Sequence, residues 1–234
     1  MRRNLPSHAA PRQAEIAPPA WLKDRLLHLD AEVVVLDKPA GLPVSARSGE
    51  SLERLLPALR LGKPRDPQPA HRLDADTAGC LVLGRTAPML ARLNAFFAER
   101  RVGKTYWAVL RGALPADAGL AEAPLRKTST AARGWRMEVH PTGDPARTAW
   151  RVLGRAPGLT LVELRPETGR THQLRVHCAH LGAPILGDAM YGGGPGTLHL
   201  LAREIALPLD PPLRVTAPVP DHMRAAVSAC GGPA

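Results

Sequence analysis

Four stretches of the 234-residue chain hold more ionisable and hydrogen-bonding groups than a fold alone requires. His71-Arg72-Leu73-Asp74-Ala75-Asp76-Thr77-Ala78-Gly79 is a polar run set directly before an apolar one. An Asp flanked by Arg, Thr and Gly reads as a carboxylate held on a loop; a turn-capping Asp would look the same. From Arg165 to His177 a strand pattern ends, turns at Gly169 and opens a helical pattern, an order of elements that receives anions. Lys104-Thr105-Tyr106-Trp107-Ala108-Val109-Leu110 alternates, which puts Lys104, Tyr106 and Ala108 on one face of a strand. Leu36-Asp37-Lys38-Pro39-Ala40-Gly41-Leu42 runs from a strand into a Pro/Gly turn and by itself reads as a plain β-turn.

His172, His177, Cys178 and His180 raise the question of a metal, since His and Cys are good zinc ligands. His177 and Cys178 are helix neighbours that point apart, and neither HExxH nor a paired CxxC is present. The expectation is therefore no metal, with these histidines satisfied by backbone or packing.

The elements that must position these groups follow from periodicity. Strands are expected at Leu26–Leu29, Val33–Leu36, Leu81–Leu83, Thr105–Leu110, Trp135–Val139, Ala149–Leu153, Thr160–Leu164, Leu200–Leu207 and Leu213–Thr216. Helices are expected at Ser51–Leu59, at Thr86–Arg100 with Leu90, Leu93 and Phe97 on one face, at Thr171–Leu181, and at Asp221–Ala229. The segment Leu61–Pro69 reads as a loop leading into His71, and Ala113–Ala132 as a long connection with room for a short strand. Many strands, few helices and no regular βαβ alternation predict an α+β fold on a mixed, mostly antiparallel sheet with flanking helices and a central cleft. Residues 1–20, rich in Pro and Ala, read as a flexible tail, and 21–234 as one domain.

Composition narrows the partners. With 31 Lys+Arg against 21 Asp+Glu the formal charge is +10, which favours a polyanion. Aromatics make up 3% of the chain, too few for the stacking platforms of RRM or OB modules. Three scattered cysteines fit a reducing cytosol. No apolar run approaches a membrane span, and Met1-Arg2-Arg3 has no apolar stretch behind it, so neither a membrane nor an export signal is expected.

Together and in this order, the four stretches resemble the RluA-type RNA pseudouridine synthases, which modify ribosomal and transfer RNA. The resemblance runs from about Val33 to about Val219; HRLD and GRTHQLRVH are its most specific parts, and Pro184-Ile185-Leu186-Gly187-Asp188-Ala189-Met190-Tyr191-Gly192 extends it. Ala78 stands where the family usually has Ser, and Cys80 replaces a usual aliphatic; no separate N-terminal RNA-binding module is recognised. The resemblance implies a cytoplasmic, monomeric enzyme that turns uridine into pseudouridine in an rRNA or tRNA stem-loop, without cofactor, metal or membrane. It implies Asp74 as the catalytic carboxylate, Tyr106 stacked on the uracil and assisting removal of the C5 proton, and Arg175 paired with Asp74 in bidentate fashion. It further assigns RNA contacts to Arg72, Lys104, Arg170 and His71, with Arg72 helping to hold the target base out of its stack. A non-catalytic RNA-binding or ribosome-assembly factor that keeps the fold is the alternative, and the joint presence of Asp74, Tyr106 and Arg175 argues against it.

Overall fold

In the computed structural model, which describes residues 19–131 and 134–233, the apolar runs of the sequence form the middle of a ten-stranded sheet. Its first strands are β1 (Leu26–Leu29), β2 (Val33–Lys38), β3 (Gln68–Pro69), β4 (Ala78–Gly84), β5 (Gly103–Arg111) and β6 (Ala118–Glu122). A separate hairpin of β7 (Leu125–Thr130) and β8 (Gly134–Val139) follows. The sheet is completed by β9 (Arg147–Ala156), β10 (Leu159–Pro166), β11 (Leu200–Leu207) and β12 (Leu213–Thr216). The order across it is β1-β2-β4-β11-β5-β10-β9-β6, with β3 on β4 and β12 on β11. All pairings are antiparallel except β4 with β11, so the sheet is mixed and mostly antiparallel, as expected.

Period-two alternation divides the side chains between two covered faces. Val33, Val35, Cys80, Val82, Val109 and Leu161 pack beneath α2 (Ala87–Ala98) and α4 (Asp221–Ala229), which follow a short α1 (Trp21–Asp24) and flank α3 (Gln173–His180) in chain order. Val34, Leu36, Leu81 and Leu83 face the other way, under a 3₁₀ helix at Leu52–Leu59. Beside them Ala108, Leu110, Val162 and Leu164 meet Leu174 and Cys178 of α3. This second face carries the cleft.

Three expectations change. The buried stripe of α2 is Met89, Leu93 and Phe96 rather than Leu90, Leu93 and Phe97. Leu90 lies with its backbone against Gly84, and Phe97 stacks on His71, centroids 4.6 Å apart, so both sit at the helix flanks. The expected connection Ala113–Ala132 contains two strands, β6 and β7. Their sequences alternate weakly because most of their side chains are exposed, and the hydrogen bonds of β9 and β8 make them strands. Finally, α3 begins at Gln173, two residues after Thr171, because His172 adopts the left-handed region at φ 53°. The expected tail at 1–20 falls almost wholly outside the described residues.

Candidate active site

Asp74 sits in the loop between β3 and β4, where two features leave the chain little choice of path. Gly79, at φ +105°, is paired with Ala202 where β4 runs parallel to β11, and a Cβ there would lie 2.3 Å from the Ala202 carbonyl oxygen. Only glycine permits that approach. Behind the loop, Lys38 is fully buried and its Nζ donates to the carbonyls of Pro39, Leu42 and Ala75, each at 2.8 Å. The Gly41 N–H also reaches the Ala75 carbonyl, at 2.9 Å. One ammonium thus ties the 39–42 turn to the residue following Asp74. Burial brings Lys38 down to about 8, with Asp76, Asp74 and Asp37 opposing the fall.

The loop opens on a cleft of about 470 Å³, within the roughly 300–1,000 Å³ of sites that enclose a small ligand. Asp74, Tyr106 and Arg175 all line it, as do Arg72, His71, Lys104 and Arg170. The structure therefore brings together every residue the sequence nominated. Tyr106 lies on β5 opposite Leu164 of β10. Burial, and then the Asp74 charge, push its hydroxyl well above the usual phenol range. Its ring lines the cleft beside Asp74.

Arg175 differs from expectation in its partner. Its Nε and Nη2 donate to the two carboxylate oxygens of Asp188 at 2.8 Å each, so the fork predicted for Asp74 belongs to Asp188. Both side chains are nearly sealed from water, 7% and 0% exposed, and a buried guanidinium requires such a bidentate acceptor. Arg175 still faces Asp74 electrostatically, though not within ion-pair distance among the described residues. The His172 ring does come within that distance, its Nε2 3.9 Å from Asp74 Oδ2.

His172 is held by a directed network. Arg175 Nη1 can only donate, so at 3.2 Å it makes His172 Nε2 an acceptor. The proton of the neutral ring is then on Nδ1, donated to the Tyr191 hydroxyl at 2.9 Å, which also accepts from the Met137 N–H at 3.1 Å. Burial holds His172 below the usual histidine range, more than the attraction of Asp74 opposes it. The left-handed backbone of His172 costs energy in a non-glycine residue and is sustained by these contacts.

The remaining expected RNA contacts divide. Arg72 is exposed at the mouth. Lys104 is half-buried, and burial beside Arg100 lowers its ammonium. Arg170 is half-buried, donates from Nε to the Pro145 carbonyl at 3.2 Å and lies 3.8 Å from Asp144. His71 departs from expectation: its Nε2 accepts the Val82 N–H at 3.1 Å, and burial depresses it to about 4. A ring committed to β4 and to Phe97 is an anchor for the Asp74 loop. His177 likewise has a structural use, with Nε2 against the Ala123 carbonyl at 3.1 Å and Nδ1 against Thr148 Oγ1 at 2.9 Å.

Sequence reading missed Lys38, Asp188 and His172 as site residues. Asp188 carried a signal, being part of the stretch that extended the resemblance. Lys38 and His172 also lay in stretches already singled out, but Lys38 was read as part of a plain β-turn and His172 as a histidine satisfied by backbone or packing.

Comparisons with known proteins agree with this geometry. Residues 32–180 match the family model described as RNA pseudouridylate synthase. An uncharacterised RNA pseudouridine synthase of Zymomonas mobilis is 45% identical over 208 residues, covering 85% of this chain and 95% of that protein. The ribosomal large subunit pseudouridine synthase D of Xanthomonas campestris is 35% identical over 251 residues, covering 95% of this chain and 72% of its own length. Among solved structures, the human RNA pseudouridylate synthase domain containing 4 superposes with a TM-score of 0.79 at 28% identity, covering 90% of this chain and 94% of that one.

Proposed function

Since the chain belongs to the RNA pseudouridylate synthase family, we propose that its cleft isomerises uridine in large-subunit ribosomal RNA, with Asp74 as the reacting carboxylate. Conversion of uridine to pseudouridine in RNA is the activity of the chain. The ribosomal target rests on the name of the Xanthomonas relative, together with the formal charge of +10. Domain, location and state are proposed as a catalytic unit at 21–234 acting as a cytoplasmic monomer. Among the described residues no helix is long and apolar enough to cross a membrane.

The reaction breaks the bond from C1′ to N1, turns the base and forms a bond from C1′ to C5, while the C5 proton is lost and N1 gains one. It is balanced without a co-reactant. Asp74 acts at the sugar, at C1′ as nucleophile or at C2′ as base. Tyr106 stacks on the uracil and keeps it in reach during the turn. Arg175 and His172 surround the carboxylate with oriented groups that do not consume it, since the Arg175 fork is held by Asp188. Arg72 at the mouth stabilises the extruded nucleotide, and Lys104 and Arg170 meet phosphates.

The observation that carries this reading is the placement of Asp74: a loop carboxylate, tied from behind through Lys38, facing a cleft shared with Tyr106 and Arg175. Asp74→Asn keeps the shape and removes the charge. Pseudouridine formation is expected to fall by at least about a thousandfold while RNA binding persists. Turnover near the wild-type rate, with deamidation excluded by mass spectrometry, would sink the assignment. Sequencing ribosomal and transfer RNA for pseudouridine with and without the gene tests the target.

A further inference from the structure

Trp135 is 43% exposed in a chain with few aromatics, and it stands at the outer end of the β7–β8 hairpin. Pairing sets it opposite Ser129, diagonal to Lys127, whose Nζ lies 4.9 Å from the indole centroid. Two residues along the same strand face, Met137 is buried with Leu125, Val176 and Tyr191. The hairpin is therefore anchored on α3 at one end and presents its indole at the other. One side of that indole lies toward the His172 ring, centroids 5.0 Å apart and tilted by 36°, and the mobile-ended Lys127 side chain lies over the ring. His172 in turn stands 3.9 Å from the Asp74 carboxylate, so the indole prolongs the wall of the cleft outward by one ring.

What covers this ring is chosen by its neighbours. Lys127 is exposed beside it, whereas Arg126 alternates to the other face of the hairpin, where it pairs with Glu138 at 3.8 Å. An exposed cation against a single flat apolar ring suits a polyanion that itself carries flat apolar faces. The apolar area is one side chain, far below the several hundred Å² of a protein-binding patch. Bases of unpaired RNA have the matching form: a π-face to stack and a phosphate one bond sequence away for the ammonium.

We infer that Trp135 is a stacking platform for an unpaired base next to the nucleotide held in the cleft, with Lys127 meeting the adjoining phosphate. This rests on the reading of the cleft as the uridine site. It gives the chain a sequence-tolerant grip on RNA, from a hairpin whose sequence lies outside the four chemistry-bearing stretches.

The test titrates wild type, Trp135→Leu and Trp135→Phe with unmodified large-subunit ribosomal RNA made by transcription, following tryptophan emission, affinity, and kcat and KM for pseudouridine. RNA should quench an emission component that Trp135→Leu lacks. The Kd and KM should rise about tenfold in Trp135→Leu and about threefold in Trp135→Phe, with kcat changed by less than about twofold. Equal affinity and equal quenching in wild type and Trp135→Leu would overturn the platform. So would a fall in kcat at constant KM, which would mean that the ring works through His172. A concentration-dependent dimer lost in Trp135→Leu would assign the ring to a second copy and overturn it too. Trp135-dependent quenching without any pseudouridine in that RNA would uphold the platform and remove the ribosomal target. No binding by the wild type at low salt would overturn both.

Discussion

On the inner flank of the cleft, Arg175 and Asp188 exchange two 2.8 Å hydrogen bonds away from water, and Lys38 gives its ammonium to three carbonyls. On the outer flank Arg72, Arg100 and Trp135 are exposed, and Lys104 is half-buried. The same chemical types thus do opposite work. A cation removed from solvent must have its donors satisfied inside the protein, and its partners then become fixed points of the fold. A cation left at the mouth keeps its hydration and exchanges it for phosphate when RNA arrives. The inner flank fixes the Asp74 loop; on the proposed function, the outer flank meets the RNA.

That comparison has four breaking points. The largest effect is expected from Asp188→Asn, which leaves Arg175 buried without its carboxylate: a loss of about 4 kcal/mol in stability, as for other broken buried pairs, measured by urea unfolding, together with loss of activity. A cost below about 1 kcal/mol would put Arg175 in effective contact with solvent and erase the distinction. Lys38→Met should cost about 3 kcal/mol, since carbonyls of Pro39, Leu42 and Ala75 lose their donor. Retained stability with lost activity would mean that Lys38 acts on Asp74 electrostatically rather than through the loop.

Third comes acid sensitivity. His71 titrates near about 4 in the folded protein and at the ordinary 6.5 unfolded. Below pH 6.5 the unfolded chain binds the extra proton, so stability present above that pH is lost progressively down to about pH 4. At pH 5 the loss relative to pH 8 is about 2 kcal/mol. His71→Gln, which keeps an acceptor for the Val82 N–H but cannot charge, should flatten that part of the unfolding profile. An unchanged profile would return His71 to the RNA-facing side. The smallest effect is that of Arg72→Ala: about a tenfold slower reaction on a structured RNA, with no change in melting. Placing the target uridine in an unstructured strand should restore part of the rate to Arg72→Ala and none to Asp188→Asn. Equal recovery of both variants would dissolve the division of labour between the two flanks.

Much of this molecule could be read from local pattern. The termini of β1, β11, β12 and α4 follow from apolar alternation and turn residues. The Asp74 loop and the alternation that turns Tyr106 inward are also local, because each depends on residues within a few positions of one another, and the family resemblance adds up several such local motifs in order. Where the pattern was weak, at β6 and β7, the side chains are mostly exposed, and nothing in their order distinguishes a strand from a loop.

The sequence by itself, through the family resemblance its motifs carry, named seven groups that meet in the cleft: Asp74, Tyr106, Arg175, Arg72, His71, Lys104 and Arg170. The tertiary structure decided who pairs with whom. Arg175 could serve Asp74 or Asp188, and the choice fell to the carboxylate that burial seals against it. Lys38 reaches Ala75 across 37 residues, and Tyr191 reaches Met137 across 54. Such pairings follow from distance and desolvation in the folded state, quantities that no spacing along the chain encodes.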